Sequence, residues 1–92
     1  MKIVTICGAG IGASGILKVN VERVLGRLDL RLDVEVVAAD IGSVAVVAED
    51  AQIILTSAEF VEAIGPTFAD VIVIVNYFDQ QELLEKLERA LG

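Results

Sequence analysis

Cys7 opens the one stretch of this sequence whose residue types and spacing suit covalent chemistry: Cys7-Gly8-Ala9-Gly10-Ile11-Gly12-Ala13-Ser14. Three glycines within five residues let successive backbone N–H groups turn inward with no Cβ in the way, which makes an anion cradle. A helix beginning just after them adds unpaired amide donors and the positive end of its dipole. Ser14 is expected to cap that helix and to offer its hydroxyl to a bound oxyanion. The field that holds an anion also favours a thiolate, so Cys7 is expected to have a lowered pKa and to act as a nucleophile without a general base. The plainer reading of Cys7 is a small buried hydrophobe at a strand end. The glycine cradle that follows it at once weighs against that reading.

Absences narrow the chemistry. The chain has no histidine and one cysteine. A Ser-His-Asp triad, a Cys-His pair, a histidine-bearing metal site, a CxxC redox pair and an intramolecular disulfide are excluded. Neither a metal nor a cofactor is called for by the residues present.

Three known loops bear comparison. A Walker A loop needs a lysine directly after its glycines, and the first lysine here is Lys18. The dinucleotide pattern Gly-x-Gly-x-x-Gly/Ala is matched by Gly8 to Ala13, with Asp33, Glu35 or Asp40 as the ribose acid. Against it stand the shortness of the chain and the unexplained cysteine. A phosphatase loop, Cys-x-x-x-x-x-Arg-Ser/Thr, as in low-molecular-weight tyrosine phosphatases, fits Cys7, the glycines and Ser14, but Ala13 occupies the arginine position. Without that bidentate clamp, and with no acid in an Asp-Pro context, the loop suits holding a phosphocysteine better than hydrolysing one.

The elements that must position the loop are legible from periodicity. Lys2 to Ile6 is short and β-branched, a first buried strand. From about Ser14 the spacing becomes helical, with Leu17, Val21, Val24, Leu25 and Leu28 on one face, ending near Leu28. Asp33 to Ala38 alternates as an edge strand. Residues 42–50 are left undecided between a short helix and irregular chain. Residues 51–56 read as a third strand, and Ser57 is placed to cap a short helix that stops at Gly65-Pro66. Val71 to Val75 is a fourth strand. Asp79 with Glu82 forms a capping box ahead of Leu83, Leu84, Leu87 and Leu91, and Gly92 closes the helix. Right-handed crossovers then predict an α/β three-layer sandwich with a four-stranded parallel sheet of order 2-1-3-4. The switch point lies between strands one and three, above which Cys7 and its glycines fall.

The chain has 92 residues, 55% of them apolar, with mean hydropathy +0.73, which fits one domain over residues 1–92 with strands buried on both faces. No apolar run reaches the ~18 residues of a membrane span. The glycines interrupt any signal-peptide core, so a cytoplasmic protein is expected. The net charge of −7 divides into +3 over residues 1–32 and −10 over residues 33–92. That balance disfavours nucleic acid as a partner. It leaves a basic first helix, with Lys18 and Arg23, to face an acidic partner or a phosphate, or simply solvent.

The segment Lys2 to Ser14, followed by Ile16-Leu17-Lys18-Val19-Asn20-Val21-Glu22 and more loosely by Ala51 to Ser57, resembles the enzyme IIB components of the bacterial sugar phosphotransferase system (PTS), of the lactose/ascorbate/galactitol type. The pattern Cys-Gly-x-Gly-x-Gly-[Ser/Ala]-Ser is similar to the ascorbate branch, with Ala13 in place of the more usual serine. The resemblance implies a phosphotransferase acting through a phosphocysteine. A phosphohistidine on a IIA partner donates to Cys7, amides of Gly8, Ala9, Gly10, Ile11, Gly12, Ala13 and Ser14 hold the phosphoryl group, and a sugar bound by the membrane IIC component accepts it. Lys18 would orient a partner, and IIC would bring the protein to the inner face of the membrane. Two readings of other classes remain open: a small nucleotide-binding module using Gly8 to Ala13, and a IIB-derived partner-binding domain with no catalysis.

Overall fold

A computed structural model describes residues 1–6, 11–28, 34–76 and 78–91, with the side chains of 11–14 and 91 left aside. Strand β1 (Lys2–Ile6) leads to helix α1 (Ile11–Arg27), and β2 (Glu35–Ala39) is followed by a 3-10 turn (Ile41–Ser43) running into α2 (Val44–Val47). β3 (Ile53–Thr56) continues through a 3-10 turn (Ala58–Phe60) into α3 (Val61–Ile64), and β4 (Asp70–Val73) precedes α4 (Gln80–Leu91). The undecided stretch 42–50 is therefore a short helical crossover.

All three strand pairings are parallel and the order is β2-β1-β3-β4, as the sequence predicts. Period-two alternation sends successive side chains to opposite faces, and both faces are covered. Ile3, Val36, Ile53 and Leu55 meet Leu17, Val21, Val24, Leu25, Leu83 and Leu87 beneath α1 and α4. Val4, Ile6 and Ile54 meet Val44, Ala48 and Ala51 on the α2 and α3 side. Each fully buried Ile, Val or Leu contributes about 1.5–3 kcal/mol relative to exposure, so the sheet is held mainly by these two layers. The layers are unequal, since α2 and α3 are four residues each against seventeen for α1. A cavity of about 210 Å³ opens there, lined by Val44, Ile54, Ile64 and the exposed Phe68.

Polar groups fasten the ends. The Lys2 ammonium donates to the Val47 carbonyl (2.6 Å) and to Asp50 (2.7 Å), binding the last turn of α2 to the start of β1. The hydrogen bond from Lys2 holds the Asp50 carboxyl below its ordinary pKa. Gly65 ends α3 with φ +71° and ψ −163°, a conformation open essentially to glycine alone.

Local details depart from the sequence reading. α1 begins at Ile11, three residues before Ser14, so Ser14 lies inside its first turn and is not its cap. Ser57 precedes the 3-10 turn but makes no capping bond; its hydroxyl donates to Glu59 (3.2 Å) instead. Asp79 does cap α4, accepting from the amides of Gln81 and Glu82, both at 3.1 Å. Glu82 does not reach back to Asp79 as a capping box requires. Its carboxylate accepts from Val75 N–H (2.8 Å) and Asn76 N–H (2.9 Å), while the amide of Asp79 donates to the Asn76 carbonyl. β4 starts one residue earlier and ends two residues earlier than expected, because the backbone of Val75 turns away to meet Glu82.

Candidate functional site at the carboxyl end of β1

Strand β1 ends at Ile6 and α1 begins at Ile11, so four residues make the connection. These four, Cys7, Gly8, Ala9 and Gly10, lie outside the described residues. Ile11, Gly12, Ala13 and Ser14 form the first turn of α1. First-turn amides have no carbonyl one turn earlier to receive them, and they carry the positive end of the helix dipole. With the helix starting at Ile11, the amides of Ile11, Gly12 and Ala13 are such donors. An anion at this end of the sheet would be met by backbone N–H groups.

The sheet order sets the surroundings. Helix α1 leaves β1 on one face toward β2, and α3 leaves β3 on the other face toward β4, so the chain parts between β1 and β3. Ile6 is in register with Ala39 on one side and Thr56 on the other. The next residues of the flanking strands are Asp40 and Ser57. Asp40 is committed to the 3-10 turn, its carboxylate accepting from Ser43 N–H at 2.9 Å. Thr56 is fully buried, and its hydroxyl donates to the carbonyl of Ile6 at 2.9 Å.

The other predicted residues separate by distance. Lys18 is half-buried on α1, seven residues past Ile11, about 10 Å along the helix axis. Arg23 lies about 18 Å along it, exposed beside Val19, Glu22 and Gly26, which fits a solvated helix face. Of the three acids considered for a ribose, Asp33 lies outside the described residues. Glu35 pairs with Lys2 at the opposite end of the sheet, and Asp40 alone stands at the loop end.

Two features were not anticipated from sequence. One is Thr56, whose signal was a polar residue at the end of the otherwise apolar run Ile53-Ile54-Leu55. The other is the turn from β4 to α4, where Val75 and Phe78 are 85% and 71% exposed on a backbone held by Glu82 and Asn76. Burial pushes the Glu82 carboxyl upward, but the Lys86 ammonium at 2.6 Å and the amides of Val75 and Asn76 outweigh it and hold its pKa below the ordinary value. Among the described residues no helix is long and apolar enough to cross a membrane, and no cluster of three His, Cys, Asp or Glu could hold a metal.

Residues 2–89 match the family model described as PTS system, Lactose/Cellobiose specific IIB subunit. The chain belongs to this PTS IIB family. It is 27% identical over 92 residues to the ascorbate-specific PTS system EIIB component of Mycoplasma pneumoniae, across 99% of this chain and 95% of that protein. Its fold is shared with the lactose-specific IIB component domain of the phosphotransferase system from Streptococcus pneumoniae, at TM-score 0.67 and 14% identity, covering 100% of this chain and 98% of that one. Membership of the PTS IIB family supports a role in sugar phosphotransfer, and IIB components in general work with IIA and IIC partners.

Proposed function

We propose that this IIB chain, acting as one domain over residues 1–92, is a phosphocarrier whose covalent site is Cys7. The observation that supports the reading is that β1 ends at Ile6 and α1 begins at Ile11, at the switch point of a PTS IIB sheet, with the cysteine and its first two glycines in the four residues between them in the sequence. The Cys7 thiolate attacks the phosphorus of a phosphohistidine on IIA. An S–P bond forms as the N–P bond breaks, and the leaving imidazole nitrogen keeps the electron pair. The phosphocysteine, carrying about two negative charges, is held by amides of Gly8 to Ser14 and by the dipole of α1. A sugar hydroxyl bound by IIC then attacks the phosphorus and gives up its proton to a base on that partner, and the S–P bond breaks to return the thiolate. Catalysis by this chain is positioning and charge stabilisation, which needs no histidine of its own.

Lys18, on the face of α1 two turns beyond its start, orients the partner. The three-glycine loop and the Mycoplasma pneumoniae relative support an ascorbate-type acceptor. Docking on IIC brings the chain to the cytoplasmic face of the membrane. Intact-mass measurement after incubation with phosphoenolpyruvate, the general phosphotransferase proteins and a cognate IIA tests the reading. A gain of about 80 Da, lost in Cys7→Ser, is expected. No gain together with saturable NAD binding would replace it with the nucleotide-binding reading, and no gain with retained IIA affinity with a non-catalytic one.

A further inference from the structure

Three polar side chains are buried among the described residues: Thr5, Asn20 and Thr56. Thr56 is 0% exposed, and its neighbours on β3, Ile53, Ile54 and Leu55, are apolar and buried. Valine would fill the same volume on a strand without bringing a hydroxyl into the interior, where an unpaired one is costly. The hydroxyl is paired, and with a particular atom. It donates across the sheet to the carbonyl of Ile6, fifty residues away, at 2.9 Å. Thr56 is itself held from the far side, its own carbonyl accepting from Ile74 N–H at 2.7 Å.

The Ile6 carbonyl is one half of the peptide group whose other half is the amide nitrogen of Cys7. A peptide group is planar, so a hydrogen bond that holds the Ile6 oxygen restrains the whole group at the end of β1. A hydrogen bond to a peptide oxygen also withdraws density from the amide nitrogen and strengthens that N–H as a donor. From this geometry we infer that Thr56 is a positioning residue for Cys7, acting through the Ile6–Cys7 peptide to set the thiolate for phosphoryl acceptance. The inference rests on the proposed role of Cys7.

The test compares Thr56→Val, which keeps shape and loses the hydroxyl, with Thr56→Ser, which keeps the hydroxyl and loses a methyl. Initial rates of Cys7 phosphorylation by cognate phospho-IIA are measured well below each variant's unfolding midpoint, alongside the pH profile of Cys7 alkylation by iodoacetamide. Thr56→Val is expected to slow phosphorylation about tenfold, the scale of a sub-ångström misplacement of a reacting group. It is expected to raise the alkylation midpoint by about half a pH unit. Thr56→Ser is expected to restore both to within about threefold and a few tenths of a unit. If Thr56→Val does not fold, Thr56→Ala replaces it against Thr56→Ser. Overturning results are unchanged rate and pH profile in the hydroxyl-free variant, or a serine variant as slow as that variant, which would make volume the determinant. A wild-type protein that takes up no phosphate, yet shows the shifted alkylation profile in Thr56→Val, would overturn the phosphocarrier reading and leave the positioning of Cys7 standing.

Discussion

Replacing Glu82 with glutamine isolates the clamp that turns the chain from β4 into α4. The carboxylate accepts from the amides of Val75 and Asn76 at 2.8 and 2.9 Å and from the Lys86 ammonium at 2.6 Å. Lys86 in turn donates to the carbonyl of Val73, and three donors converge on one partly buried acid. Glutamine keeps one oxygen and presents an NH2 where the second stood, so one backbone amide loses its acceptor and the ion pair is gone. A net hydrogen bond contributes about 0.5–1.5 kcal/mol, and an ion pair near the surface about 0–1 kcal/mol. The expected loss is about 1.5–2 kcal/mol at neutral pH. For a domain of this size that lowers the melting temperature by roughly 10 °C. The pH dependence follows from the sign of the shift. Because the folded-state pKa of Glu82 is depressed, its contribution is fully present above the unfolded-state value of about 4.3 and is lost as pH falls through the folded value. Urea unfolding of wild type and Glu82→Gln, from about pH 7 down to about pH 3, should therefore show a stability gap that closes in acid. A gap below about 0.5 kcal/mol at pH 7, or one unchanged in acid, would refute the clamp.

Two further outcomes are expected. Gly65→Ala should cost about 1–3 kcal/mol in urea unfolding, because φ +71° with ψ −163° excludes a side chain although nothing lies within 4 Å of the added Cβ; a neutral substitution would show that the turn is not strained. Cys7 should react with iodoacetamide at pH 7 faster than free cysteine, and phosphate should slow it; a rate equal to that of the unfolded chain would remove the activated thiolate.

The elements that flank the candidate site were legible because they are local: β1 and α1 adjoin the cysteine and glycines in the chain, and the chemistry proposed for those residues is read from that adjacency. The order β2-β1-β3-β4 followed from the alternation of strand and helix patterns with right-handed crossovers. The start of α1 was placed late because Gly12 and Gly15 have poor helix propensity and mask the period. The helix begins at Ile11 nonetheless, as its apolar face from Leu17 to Leu25 packs on β1 and β2 and tertiary burial overrides propensity.

Glu82 shows the limit of local rules. Its spacing from Asp79 satisfies a capping box, but Val75 and Asn76 offer two amides at the end of β4, and the carboxylate goes to them. The sequence by itself determined which residues face inward, how many strands form the sheet, and that one cysteine and three glycines follow the first of them. Only the tertiary structure decided that the hydroxyl of Thr56 meets the carbonyl of Ile6. That contact depends on the register of β3 against β1, and register is set by the packing of two buried layers on elements far apart in the chain.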